Sequence, residues 1–289
     1  IVGGADNTYV GYHCGSASVD TNQNTAVGNL TYAKGTGTGN TCFGDRAGSS
    51  VANTGTAMSG SNNTCVGKNA GYTLTDGPGN VLLGHSAGMA MSTSDYNVAV
   101  GAYALDALTT NSHNNIAIGT YALSSQAAEA ATATTNSVAI GRNALAVQND
   151  AAAINMAIGF NAGLAVSSGT ANVLIGHEAG SALQDDDYNT ALGHNALKAA
   201  TAGAGNTALG SYAVGLGAVT GNYNTCVGIN AGYDLTGGDS NVMVGKNSGF
   251  NATTAEQNVI IGLDACGLGV LANAADTQGM YNVVVGPQA

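Results

Sequence analysis

The chain has 289 residues, and only 8% of them are charged: six Lys and Arg against seventeen Asp and Glu, a net charge of −11. Nucleic-acid binding draws on basic side chains to neutralise phosphate, and six scattered ones form no stripe, which argues against that class of partner. Trp is absent, Pro occurs twice and Phe three times, so a conventional aromatic core and a Pro-rich linker are both disfavoured, while 44 glycines lack the every-third-residue period of collagen.

One phrase recurs from end to end. It opens at Asn7, Asn24, Asn40, Asn63, Asn80, Asn97, Asn115, Ser137, Asn155, Asn172, Asn189, Asn206, Asn224, Asn241, Asn258 and Asn282, sixteen copies in all. Most steps are 16 to 18 residues, and the three longer ones lead into Asn63, Ser137 and Asn282. A fixed period over a whole chain signals a repeat architecture, which we read as one domain over residues 1–289. The second position is Thr, Val, Ile or Met, the fourth is always bulky and apolar, and the fifth is always Gly. Three residues beyond that glycine stands Ala in thirteen copies.

Alternation over positions two to four predicts a short strand with one packed face, bent by the glycine. A period near 17 is too short for a helical hairpin repeat, so the fold class expected is all-β, a parallel β-solenoid of about sixteen coils. Stacking at about 4.8 Å per coil predicts a rod of roughly 75–80 Å. The opening residues, among them Asn155, Asn172, Asn189 and Asn206, form an amide ladder in this reading. The fourth-position residues, such as Ile158, Ile175, Leu192 and Leu209, form a continuous internal column. Gly159, Gly176, Gly193 and Gly210 make a corner needing positive φ or close backbone approach. The third position holds Ala26, Ala99, Ala117, Ala139, Ala157, Ala191, Ala208, Cys42, Cys65 and Cys226. This small-residue face is expected opposite the internal column, where another chain could approach and supply burial that a thin core lacks.

In chain order, residues 1–47 hold three copies and Gly48–Asn62 reads as a Ser/Gly/Thr/Ala surface loop. Four evenly spaced copies follow. The insertion Ser124–Asn136 is alanine-rich and compatible with a helical turn or two. The most regular stretch runs from Ser137 to Val259, and the last insertion, 263–281, contains LGVLANAAD and is expected to fold over the stack or dock on a neighbour. Neither end carries a polar cap of the kind solenoids use, which leaves room for end-to-end stacking. Nothing in the chain reads as a signal peptide or membrane span.

The copies at 136–141 (NSVAIG), 155–159 (NMAIG) and 24–28 (NTAVG) resemble the head repeat of trimeric autotransporter adhesins, the YadA-like head. The 17-residue spacing is similar to repeats of bacteriophage tail-fibre and other viral fibre proteins. The resemblance implies a left-handed parallel β-roll, three chains side by side, in an extracellular fibre on a virion or cell surface. It implies self-association and a cell-surface receptor or glycan as partners. The coils here are longer than the adhesin head's, and neither its coiled-coil stalk and membrane anchor nor a tail-fibre chaperone domain is present in the sequence.

Candidate chemistry is sparse. Of five cysteines, Cys42, Cys65 and Cys226 share one motif position, with Cys14 and Cys266 elsewhere. A disulfide between Cys42 and Cys65 is geometrically open, but we read buried thiols acting as slightly enlarged alanines. His177 and His194 follow the glycine in consecutive coils, with His85 at the same position further off, and Asp185, Asp186 and Asp187 form the one dense carboxylate run. Each set is a weak metal candidate; stacked surface residues and a solvated turn are the readings taken, with no metal or other cofactor expected. Tyr96, Tyr188, Tyr223 and Tyr281 each precede an opening Asn and suit either carbohydrate or protein contact, or corner packing. No Ser/His/Asp set or phosphate-binding loop has positional logic, so the chain is not read as an enzyme. A structural or adhesive fibre segment is the expected function, and a filament subunit stacking head to tail is the alternative. A threonine-array ice-binding solenoid conflicts with the mixed second position, and a glycan depolymerase lacks an acid pair.

Overall fold

The computed structural model describes residues 3–49, 57–107, 112–124, 135–148, 154–215, 219–266 and 281–289. A three-residue strand forms at every predicted copy. The chain divides into two compact units, residues 1–153 and 154–289. The first stacks β1 (Thr8–Val10), β2 (Thr25–Val27), β3 (Thr41–Phe43), β4 (Thr64–Val66), β5 (Val81–Leu83), β6 (Val98–Val100), β7 (Ile116–Ile118) and β8 (Val138–Ile140). The second stacks β9 (Met156–Ile158), β10 (Val173–Ile175), β11 (Thr190–Leu192), β12 (Thr207–Leu209), β13 (Thr225–Val227), β14 (Val242–Val244), β15 (Val259–Ile261) and β16 (Val283–Val285). Within each unit successive strands pair parallel, with equivalent motif positions opposite one another, as Val173, Leu174 and Ile175 lie opposite Thr190, Ala191 and Leu192. Each unit is therefore a parallel β-solenoid. Among the described residues there is no helix, and none long and apolar enough to cross a membrane.

Glycine ends each strand for two reasons at once. Gly159, Gly176, Gly193 and Gly210 have φ of 141°, 138°, 147° and 141°, a region L-residues avoid. A Cβ at Gly176 would also lie 2.6 Å from the carbonyl carbon of Gly193 in the next coil. No side chain fits between corners stacked this closely.

The opening asparagines form the expected ladder, and all but Asn7 and Asn282 at its ends are buried. Asn172 donates its backbone N–H (2.9 Å) and its Nδ2 (3.1 Å) to Oδ1 of Asn155, and Nδ2 also reaches the carbonyl of Asp186 at 2.7 Å. Asn189 and Asn206 each donate a backbone N–H to the Oδ1 of the asparagine before it, at 2.9 Å. One side chain thus satisfies groups in a neighbouring coil that would otherwise be orphaned in the interior. Where Ser137 replaces Asn, its N–H still finds Oδ1 of Asn115 at 3.0 Å, and the buried Gln148 of the same coil supplies the missing amide by donating Nε2 to Ser137 Oγ at 2.9 Å.

The strand alternation is present with its phase reversed. The third-position residues, including Ala26, Cys42, Cys65, Ala99, Ala117, Ala139, Ala157, Ala191, Ala208 and Cys226, are fully buried. The fourth-position column faces outward: Leu192 and Leu209 keep 43% and 42% of their surface exposed, and Ile158 and Ile175 are half-buried. The internal column is therefore the small one, and the small-residue face is closed to another chain. The interior of so short a coil is narrow, and this size limit overrides the tendency of the largest apolar side chains to lie inside.

That narrow interior is filled in two ways. Where the third position is Ala, the ninth is often large: Ala99 with Leu105, Ala117 with Leu123, Ala139 with Leu145, Ala191 with Leu197, Ala208 with Val214, and Ala26 with Tyr32, all buried. These ninth residues have φ of 48–53°, a left-handed backbone costing about 1–2 kcal/mol. Burying such a side chain returns about 1.5–3 kcal/mol, so packing wins. Tyr32 also places its hydroxyl, donating to the carbonyl of Gly37 at 2.7 Å and accepting from Asn40 Nδ2 at 3.3 Å.

In the second solution the ninth position is Gly and the third or twelfth is large. Leu174, Gly180 and Leu183 form one such set; Leu82, Gly88 and Met91, and Cys226, Gly232 and Leu235, form others. A Cβ at Gly180 would lie 2.7 Å from Leu174 Cδ2 and 2.9 Å from Leu183 Cδ1. Ala157 with Gly163 keeps the balance through the buried Val166.

One expectation changes at the insertions. The Gly48–Asn62 segment is not surface loop throughout, because Met58 is fully buried and bridges Gly35 in parallel. Residues 125–134, the body of the insertion expected to form helical turns, and the LGVLANAAD stretch fall outside the described residues.

The two interior solutions are exchangeable as sets. Leu197→Gly alone is expected to cost about 2–5 kcal/mol and Ala191→Leu alone about 1–3 kcal/mol, by denaturant unfolding. The triple variant Ala191→Leu, Leu197→Gly, Ala200→Leu, which copies the Leu174, Gly180, Leu183 set, should recover most of that loss. A triple variant as unstable as the sum of its parts would refute the packing rule.

Candidate functional site

The reversed phase puts the second and fourth positions of every strand on the surface. In the first unit this row includes Phe43, Val66, Ile116 and Ile118, and in the second Met156, Leu192, Leu209 and Ile261, all with more than a third of their surface exposed. In-register stacking makes the row continuous within each unit. Soluble monomers rarely expose contiguous apolar strips of this kind, which mark interaction surfaces.

A second column was only partly visible from the motif. His177 and His194 do stack, with ring centroids 5.1 Å apart and planes at 19°. They are the middle of a run of six rings: Phe160 stacks on His177 at 5.2 Å, Tyr212 meets His194 edge-on at 5.3 Å, and Tyr233 and Phe250 continue it. Tyr212 lies two residues beyond its glycine, and Tyr233 and Phe250 five beyond theirs, so no single motif position reveals the run. His85 belongs to the other unit, where it meets Tyr103 edge-on and Tyr103 stacks on Tyr121. The imidazoles thus take part in ring stacking, and among the described residues no three His, Cys, Asp or Glu gather as a metal site. Beside them Glu178 pairs with Lys198, which holds its carboxyl below the ordinary range.

The carboxylates of Asp185, Asp186 and Asp187 diverge. Asp185 accepts from the hydroxyls of Ser167 and Ser168, both at 2.6 Å, and those bonds hold it below the usual range. Asp187 accepts from the Thr170 N–H at 2.7 Å, also one coil back, whereas Asp186 reaches forward to the Gly203 N–H at 2.7 Å. Burial pushes Asp186 up. These groups stitch coils together; they do not converge on a common point as hard-cation ligands must.

All five cysteines are free thiols. Cys42 and Cys65 lie opposite each other on β3 and β4, fully buried, and a hydrogen bond shared with Cys65 together with burial pushes Cys42 well above its ordinary value. Burial pushes Cys226 up to about 12. Such thiols are poor nucleophiles and pack as small apolar residues. Cys14 and Cys266 are half-buried and likewise raised by burial.

The four tyrosines sit at coil corners with their side chains exposed. Their backbones sit in the left-handed region, with φ of 54°, 60°, 59° and 61° at Tyr96, Tyr188, Tyr223 and Tyr281. Their side chains are 60–75% exposed. The Tyr96 ring leans over Gly79 and the Tyr223 ring over Gly205, each against the corner of the preceding coil.

Asp106 was not singled out by its sequence context. Burial pushes its carboxyl up to about 6, from an ordinary 3.8. A raised folded-state value means the proton is bound more tightly in the fold. The group's contribution is therefore intact below about pH 4 and is lost as pH rises through about 6. Asp106→Asn should raise the thermal midpoint at about pH 7 and leave it unchanged at about pH 3.5; equal midpoints at both would contradict the buried placement. No protein-family model and no curated protein matches the chain.

Proposed function

We propose that the chain is a structural and adhesive fibre segment, in which solenoid units from three copies associate side by side through their outward apolar rows. The observation that carries this reading is the outward column of bulky apolar side chains at position four, half-buried or exposed in every coil, with Val, Ile or Met beside it at position two in nine of the sixteen copies, where a solitary solenoid would place polar ones. This relocates the contact from the third-position face, which is the interior, to the opposite side of the same strands. The resemblance to adhesin heads and viral fibres supports the left-handed roll, the threefold arrangement and an extracellular place on a virion or cell. The sparse charge and neutral polar loops suit a passive spacer that presents receptor-binding surfaces. The reading is non-enzymatic, in keeping with the coil-to-coil bonds of Asp185, Asp186 and Asp187 and the burial of Cys42, Cys65 and Cys226.

Light scattering behind a sizing column, with negative-stain images of the same fractions, should show a discrete species of three chains. Leu192→Glu combined with Leu209→Glu should weaken assembly by at least about 100-fold, because burying unpaired charge costs several kcal/mol, while circular dichroism stays unchanged. A stable wild-type monomer, or a charged variant that assembles normally, would overturn the proposal. Open-ended rods that lengthen with concentration would favour head-to-tail filaments instead.

A further inference from the structure

We propose that Tyr188 and Tyr223, each with the Asx residue before it, form a binding strip for an extended β-1,4-linked polysaccharide running along the stacking direction of the second unit. The setting, an exposed fibre, rests on the function proposed above; the contact itself rests on the geometry. Both tyrosines occupy the same left-handed corner, two coils apart, with Gly205 at that corner in the coil between them. Because Gly205 has no side chain, the Tyr223 ring leans onto its backbone, and a Cβ there would sit 2.8 Å from Cδ1 of the ring. The ring is held along the column and not erect in solvent, yet Tyr188 and Tyr223 remain 69% and 70% exposed.

Beside each ring stands a half-buried polar group already oriented by the backbone. Asp187 Oδ1 accepts the Thr170 N–H at 2.7 Å, and Asn222 Oδ1 accepts the Ala204 N–H at 2.9 Å. A fixed aromatic ring next to a fixed amide or carboxylate matches a sugar, which has an apolar face and equatorial hydroxyls.

Spacing selects the class of sugar polymer. Two coils rise about 9.6 Å, close to the length of one disaccharide unit in an extended β-1,4-linked chain. In such a chain alternate residues turn the same face to one side, so rings two coils apart meet equivalent faces of every second sugar. An α-1,4-linked chain curls and cannot keep that register. Nor does the strip carry a basic residue that would select a phosphate or sulfate group: positions 187–188 and 222–223 read Asp-Tyr and Asn-Tyr.

The test is calorimetric titration of the assembled full-length protein with cellohexaose, chitohexaose and maltohexaose. One of the two β-1,4-linked hexasaccharides should bind, and maltohexaose should not. Tyr188→Asn and Tyr223→Asn should each weaken binding about tenfold, the loss of one stacking contact, and Tyr223→Phe should retain it. Asparagine already occupies this corner at Asn62, Asn114 and Asn136, with φ of 61°, 58° and 56°, so the fold tolerates it. The proposal is overturned if neither β-linked hexasaccharide binds, if maltohexaose binds equally, or if the Asn variants bind like wild type. Asn variants with an altered assembly mass would make the tyrosines contacts between copies, overturning the strip and leaving the fibre. Tyrosine-dependent binding by a monomer would do the reverse.

Discussion

The structure depends on how closely consecutive coils approach at the glycine corner. With Gly193 backbone within 2.6 Å of where a Gly176 Cβ would lie, equivalent corners must stack directly, and that locks every other motif position into its own column. Parallel in-register pairing follows, as does the asparagine ladder, because an Asn in one coil can satisfy the next only if the two are superposed. A shift of one residue would reverse the side-chain faces and also break the ladder. The short strand is specified less by its own propensity than by these two flanking columns.

The same closeness sets the interior volume. Three-residue strands linked by tight turns enclose little space, so a coil accommodates few large side chains, drawn from the third, ninth or twelfth position. Leu197 and Leu174 are alternative answers to one packing problem. The left-handed backbone at Leu197 and Val214 is tolerated because burial outweighs its cost.

Period, strand position, ladder and glycine corner were legible because each is a one-residue rule repeated many times. The phase of the strand was not. Alternation shows that two faces differ but not which is inside, and both faces here are apolar: Ala191 lies between Thr190 and Leu192. The usual preference for burying the larger side chain gave the wrong side, since the limit was space and not hydrophobicity. The linked sizes of positions three, nine and twelve were present in the sequence as Asn-Ala-Leu against Asn-Ala-Gly after the corner, but their meaning depends on knowing that all three point inward. The ring column from Phe160 to Phe250 escaped because its members change motif position along the run, and only the folded turns bring them together.

Once the interior is committed in this way, the functional freedom of the chain lies in outward columns, and these fall into two kinds. Position four stays bulky and apolar in every coil while position two alternates between Thr and Val, Ile or Met, and a surface repeated against the same partner along its length requires a constant column of the first kind. The corner before the opening residue is Gly, Asp, Asn, Gln, Ser, Ala or Tyr in every copy but that of Ile154, and these share the left-handed backbone that disfavours bulky side chains. A tyrosine there gains little burial to offset the strain, unlike Leu197 inside the core. Its exposed ring is therefore unexplained by folding alone, and the sugar contact proposed above would account for it.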